Sequence, residues 1–372
     1  MEGIMSKVYF TDFRATFDVN LLDKIVILAK EAGIDKINFN KKFTAIKIHF
    51  GEPGNIAYLR PNYAKAIADL IKNLGGVPYL TDCNTLYVGR RKNAIDHLGA
   101  AYENGYNPFT TGCHIIIGDG LKGTDEVEIP VNGKHVKSAK IGRGIMDADV
   151  IISMNHFKGH EATGFGGALK NIGMGCGSRA GKMEMHYGGK PKVNPDLCTA
   201  CSECFKRCAH GAIKYVNKKA NIDVEKCVGC GMCIGACNYD AIRPIAGNSN
   251  VVLNEKMAEY AYAVLNGRPH FHISLIVDVS PYCDCHSEND APIVPNIGML
   301  ASFDPVALDM ACADLVNAAP VNPGSMLDES DHDHDDHFKN LFPDTDWKSC
   351  LIRAEEMGLG EMDYELIKLE IK

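Results

Sequence analysis

Eight of the fifteen cysteines fall in two short runs of identical spacing. Cys198, Cys201, Cys204 and Cys208 read C-x2-C-x2-C-x3-C, and Cys227, Cys230, Cys233 and Cys237 repeat it. Thiolates this close on a curled loop reach the irons of one iron-sulfur cube, while the fourth cysteine reaches the neighbouring cube. The spacing therefore predicts two 4Fe-4S clusters with crossed ligands. Cys198, Cys201, Cys204 and Cys237 would hold one, and Cys227, Cys230, Cys233 and Cys208 the other, with each fourth cysteine starting a helix. Four thiolates also suit structural zinc, but zinc modules space their cysteines as separated pairs. The C-x3-C-x2-C order of a radical S-adenosylmethionine site does not occur.

The two runs lie in CTACSECFKRCAHGAI and CVGCGMCIGACNYDAI, an internal duplication. Over this segment alone the chain resembles bacterial two-cluster ferredoxins, which implies single-electron transfer. Those ferredoxins place Pro after the fourth cysteine, whereas Ala209 and Asn238 stand here. The path of the chain away from each cluster should differ while the ligand set is kept.

A second group of reactive side chains follows apolar runs that read as strands. His49 and Glu52 follow FTAIKIHF, and Asp82 and Cys83 follow VPYL. Asn155, His156, Lys158 and His160 follow DVIIS, and Cys283, Cys285 and His286 follow FHISLIVDV. Ligands of open parallel sheets bind outside the carboxyl ends of the strands, so these groups are expected on one rim. Within NHFKGHEATGFGGALKNIGMGCGSRAGKMEMH, glycines precede a short helix containing Lys170, an arrangement that can cradle an anion on backbone N–H groups. His156, Lys158, His160 and Lys170 are the candidate catalytic residues. Lys158 or Lys170 would neutralise a carboxylate or phosphate.

Cys283, Cys285 and His286 could chelate one further metal, with Cys176 as a fourth donor; the alternative is a pair of reduced spectator thiols. Whether any additional cofactor is a metal or an organic group such as a flavin stays open. Asp331, His332, His334 and His337 of the run DESDHDHDDH could hold a hard or borderline metal, or form a solvated acidic loop. GDGLKG fits a dinucleotide fingerprint, but a strand pattern follows where a helix is required, so it reads as a turn. NHFKGHEATGFGGALKNIGMGCGSRAGK together with CDCHSENDAPIVPNIGMLASFDPVALD is similar to the domain-of-unknown-function 362 family. That resemblance covers most of the chain outside the cysteine segment. It implies an α/β domain that often carries a ferredoxin insert, and it transfers no activity.

The elements that must position these groups alternate. Ile46, Ile48 and Phe50 share one strand face, and Pro61 opens a helix carrying Ala64, Ile67, Ala68, Ile71 and Leu74 to a stop at Gly75. Further strands are expected at VPYL, CHIII, DVIIS and FHISLIVDV, a helix after Asp304-Pro305, and a hairpin turning at Asn132-Gly133. The fold class is α/β, a mostly parallel sheet flanked by helices, with an inserted ferredoxin-like α+β module. Residues 1–189 and 247–372 form the α/β domain, the latter part carrying the acidic, histidine-rich segment; residues 190–246 form the insert.

A net charge of −8 argues against nucleic acid as a partner. No apolar stretch reaches bilayer length, and MEGIMSKVYF lacks the order of a secretory signal, so a cytoplasmic, anaerobic setting without a membrane partner is expected. The oligomeric state is not legible. Two readings follow. One is a ferredoxin-linked oxidoreductase acting on a small anionic substrate at the sheet rim. The other is a non-catalytic electron carrier, or a metallocofactor assembly or accessory protein, that meets a redox partner protein.

Overall fold

The computed structural model describes residues 5–86, 89–187, 191–208, 210–227, 232–237, 239, 241–244, 250–330 and 335–371. Its centre is an eight-stranded sheet in the order Tyr364–Lys368, Ser6–Asp12, Gly298–Ser302, His270–Ile276, Val150–His156, Phe43–Lys47, Val77–Asp82, Ile115–Ile117. Gly298–Ser302 runs antiparallel to both neighbours, and the other pairings are parallel. The mostly parallel α/β fold expected from the alternating pattern is the fold observed.

Helices cover both faces. Strand residues alternate between two cores, with Ala45 and Ile151 facing one and Ile46 and Ile152 the other. On the first face Leu169, Met257, Leu308 and Leu351 supply the helical side of the core; on the second Ile25, Leu28, Ala64 and Ile67 do so. Burial on both faces explains why VIIS and FHISLI read as continuous apolar runs. The Pro61–Asn73 helix has Pro at its first turn and ends at Leu74, after which Gly75 takes φ 87°, as its pattern predicts. Asp304 caps Pro305–Asn317 through the N–H groups of Val306 and Ala307.

The hairpin forms between Glu126–Pro130 and Ser138–Gly142, but its connection is wider than an Asn-Gly pair alone. The buried carboxylate of Glu259 accepts N–H bonds from Lys134, His135 and Val136 and pairs with Arg353 at 2.8 Å. A buried acceptor that needs donors thus draws the loop inward, and a Cβ on Gly133 would strike it at 2.4 Å. Among the described residues no helix is long and apolar enough to cross a membrane.

In the cysteine-rich segment Pro191–Val193 pairs antiparallel with Ile242–Pro244, so the chain arrives and departs side by side. Between them lie the short helices Glu203–Arg207 and Met232–Ala236 and the hairpin Ile213–Val216 with Lys219–Ile222.

Candidate functional site

The carboxyl ends of the parallel strands open into one cavity of about 980 Å³. Phe43–Lys47 delivers Lys47, His49 and Glu52; Val77–Asp82 delivers Asp82 and Cys83. Val150–His156 delivers His156 and continues into the short strand Lys158–His160, while the chain beyond His270–Ile276 returns Cys283, Cys285 and His286. Lys170 joins them from the helix Ala168–Cys176. The groups expected on one rim therefore converge. Asn155 is the exception: it is buried beneath the cavity, and its Oδ1 accepts from Asn171 Nδ2 at 2.8 Å, which orients a residue that does line the wall.

Two histidines illustrate how the surroundings fix protonation. His156 places Nδ1 2.8 and 3.0 Å from the Asp284 carboxylate and Nε2 2.8 Å from the Val277 carbonyl. Both ring nitrogens face acceptors. Lys158 Nζ lies 3.5 Å from the same carboxylate. Against the cost of burial, His156 and Lys158 hold the Asp284 carboxyl well below the usual range. His49 is the converse: Gly51 N–H approaches Nδ1 at 3.0 Å and the Arg91 guanidinium Nε2 at 2.8 Å. Burial and then Arg91 push its pKa down, so the ring stays neutral.

Lys47 is buried 3.0 Å from Asp82 and donates to Asn171 Oδ1 at 2.7 Å. Arg91, also buried, reaches Glu52 at 2.8 Å and stands 3.8 Å from Asp82. Lys182 lines the same wall, bonding the carbonyls of Gly177 at 2.6 Å and Gly175 at 3.4 Å, with no ion pair among the described residues. Six lysine and arginine side chains and four carboxylates line the cavity. The lining cations are mostly neutralised in pairs, which leaves Lys182 the least committed.

The sulfur atoms of Cys283 and Cys285 and a ring nitrogen of His160 lie within 4.8 Å of one another. His160, rather than the adjacent His286, completes this group. His286 turns away to bond Glu161 at 2.9 Å, a contact that raises its pKa. Lys170 Nζ approaches Cys283 Sγ to 3.3 Å. Cys176 does not join: it is buried under Cys83, whose sulfur faces the Cys176 carbonyl at 3.5 Å. Burial pushes the Cys176 thiol up to about 12 and Cys83 well above its ordinary value, so both remain neutral core thiols.

Cys198, Cys201, Cys204 and Cys237 line one small pocket in the cysteine segment. Its loop holds Ala200 at φ 57° and Ser202 at φ 70°. Two non-glycine residues in the left-handed region curl the chain so that successive sulfurs face inward, a strain that such segments accept when the geometry serves a site. Backbone N–H groups approach the sulfurs, Ala220 to Cys198 at 3.4 Å and Ala212 to Cys208 at 3.3 Å. Cys208 and Cys237 each follow a short helix rather than start one, because Glu203–Arg207 and Met232–Ala236 finish first and Cys208 is extended. Cys208 and Cys233 each pack against the module's apolar cluster. Cys230 lies outside the described residues, as do Asp331, His332 and His334. His337 is buried at the head of a helix, bonded to the Ala319 carbonyl at 3.1 Å, and is not available to an acidic chelate.

The cysteine segment touches the rim. Ile242 and Arg243 form part of the cavity wall, and Leu86 and Met183 from the α/β domain pack against Cys204 and Cys237 in one cluster. Lys47, Arg91, Asn171, Lys182, His186 and Arg243 are cavity residues that the sequence reading passed over. Lys182 and His186 stand in the same glycine-rich segment as Lys170 and were within reach of it; Lys47 and Arg91 carry no spacing signal.

A family profile described as Domain of unknown function (DUF362) matches residues 44–314. No curated protein matches the chain. Among solved structures, the lactate racemase apoprotein from Thermoanaerobacterium thermosaccharolyticum is 11% identical, with a TM-score of 0.37 over 73% of this chain and 51% of that one. A protein from Thermotoga maritima is 11% identical, with a TM-score of 0.37 over 90% of this chain and 58% of that one. The chain thus spans between half and three fifths of the length of either.

Proposed function

The chain belongs to the family described as Domain of unknown function (DUF362), and from its own residues we propose that it is an iron-sulfur oxidoreductase. Cys198, Cys201, Cys204 and Cys237 would hold one 4Fe-4S cluster, and Cys227, Cys230, Cys233 and Cys208 a second. When bound, the clusters supply single electrons to a reacting site in the rim cavity. The observation that carries this reading is one of placement. Four cysteines drawn from both halves of the duplication line one pocket, and the strand Ile242–Pro244 that follows Cys237 lends Ile242 and Arg243 to the cavity wall.

The donor set fits such clusters chemically. Four thiols meet in one place, and amide groups point at cysteine sulfurs, the contact that tunes cluster potential. Lys182, Lys158 and Lys170, all in the cavity wall, suit a small anionic substrate, while the buried pairs His156–Asp284 and Arg91–Glu52 fix the wall. Exposed Cys201, Phe205 and Tyr239 on the outer side offer an edge to a redox partner protein. The second reading, a carrier or accessory protein, calls for a flat docking patch, whereas a concave site of this size favours small-molecule chemistry.

The test is anaerobic purification followed by iron and acid-labile sulfide analysis. About eight of each per chain are expected, falling by about half in a Cys204→Ser, Cys237→Ser variant. Zinc without sulfide would overturn the cluster assignment. Substitution of Lys182 by Met should raise at least about tenfold the concentration of small anionic acceptor needed for half-maximal reoxidation through the cavity; an unchanged value would favour the carrier reading.

A further inference from the structure

Cys283 has a lysine ammonium and a backbone N–H gathered round its buried sulfur. It is 1% exposed to bulk solvent but lies in the cavity wall. Lys170 Nζ approaches it at 3.3 Å and the Cys285 backbone N–H at 3.4 Å. The Cys285 thiol, and then Lys170 and His160, hold it well below the usual thiol range despite burial. Cys285 is pushed the opposite way, chiefly by its bond to Cys283, and the Lys170 ammonium at 3.3 Å favours the charge on Cys283.

The same three residues have the composition of a metal site, but His160 argues otherwise. Its Nδ1 accepts the N–H groups of Ala162 at 3.0 Å and Thr163 at 3.2 Å. The lone pair of Nδ1 is therefore engaged, which leaves Nε2 as the donor. A ring so arranged presents a donor to sulfur rather than a lone pair to a cation. The ammonium of Lys170 also occupies a position beside Cys283 that a divalent ion would find repulsive.

We propose that Cys283 is a thiolate nucleophile of the rim cavity, positioned by Lys170, His160 and Cys285, and that it takes a small molecule presenting an electrophilic carbon with a leaving group. In the step, the sulfur attacks that carbon, the S–C bond forms, and the bond to the leaving group breaks with its electron pair. No proton is transferred, because the sulfur reacts as the anion. Glu161, His286 and His49 are the other titratable groups that face Cys283. This role is independent of the iron-sulfur reading.

The test is alkylation of the anaerobically purified full chain by iodoacetamide at about pH 6, followed by mass spectrometry of the Cys283 peptide. An ordinary thiol, with a pKa of about 8.5, is less than 1% ionised at about pH 6. Cys283 is expected to react at least about tenfold faster than free cysteine there, allowing for the lower intrinsic nucleophilicity of a stabilised thiolate. Its rate should rise less steeply between about pH 6 and 8 than that of an ordinary thiol, which gains about tenfold per unit there. Lys170→Met should slow it at least about tenfold at about pH 6 with little change at about pH 9, and Lys170→Arg should restore it. Cys283 labelled no faster than free cysteine, label arriving first on Cys285, or an unchanged Lys170→Met rate would each refute the proposal. So would one chelatable metal per chain that blocks labelling until removed. The wild-type pH profile decides the matter even if Lys170→Met does not fold. Iron and sulfide are measured on the same sample, so cluster loss with rapid labelling would count against the electron-transfer reading alone.

Discussion

Replacing Asp284 by Asn should cost more stability than any other single-atom change at the rim. The carboxylate is buried and is the acceptor for both His156, at 2.8 Å, and Lys158, at 3.5 Å. At an effective dielectric of about 20, the Lys158 contact alone corresponds to about 5 kcal/mol of Coulomb energy. The net cost of removing one partner from such a buried pair is about 3 to 5 kcal/mol, because the other charge is left uncompensated. Asparagine keeps an oxygen for His156 but supplies no charge to the Lys158 ammonium. For a chain of 372 residues the unfolding entropy is about 0.8 kcal/mol/K, so the loss converts to a fall in Tm of about 4 to 6 °C. The assay is thermal unfolding at about pH 7, under anaerobic conditions so that cluster loss does not intervene. Lys158→Met added to Asp284→Asn should return at least about 1 kcal/mol, since it removes the stranded ammonium. A single variant within about 1 kcal/mol of wild type, or a double variant no better than the single, would refute the ion-pair account.

His97 is fully buried against Phe50, its ring nitrogens make no hydrogen bond among the described residues, with Asp82 3.7 Å from Nε2, and burial pushes its pKa down to about 3. A base whose folded pKa is depressed binds its proton more readily when unfolded, so its contribution is complete above about pH 6.5 and is lost as pH falls toward about 3. The full span is at most about 5 kcal/mol. His97→Leu should flatten the acid limb of denaturant-measured stability between about pH 6.5 and 4, and identical slopes in the two proteins would exclude His97 as the cause. Gly173→Ala should be destabilising by at least about 2 kcal/mol, because the added Cβ would stand 2.1 Å from the Met257 carbonyl where the helices Ala168–Cys176 and Asn250–Leu265 cross; a change under about 0.5 kcal/mol in the urea midpoint would show that this crossing yields freely.

The amino-acid sequence by itself determined the α/β class, the central strands, and the side chains that gather after them. Strands buried on both faces must be apolar throughout, and the carboxyl ends of parallel strands must share one edge, so Lys158, His160 and Cys283 are legible from the sequence as groups of one rim. The strands Ser6–Asp12, Gly298–Ser302 and Tyr364–Lys368 were not read. The outer two are partly exposed and carry mixed patterns, and the third is only five residues long. Tertiary structure alone decided partners. His286 is nearer to Cys285 in the chain, but its ring turns to Glu161, and the strand Lys158–His160 brings His160 to the sulfurs instead. Likewise, nothing local marks Glu259 as the acceptor that reshapes a hairpin more than a hundred residues away, or Lys182 as a buried cation held by carbonyls. Spacing reports which groups a segment offers. Which of them meet is set by side-chain direction and by the need to pair every buried charge and donor, and those are properties of the packed chain.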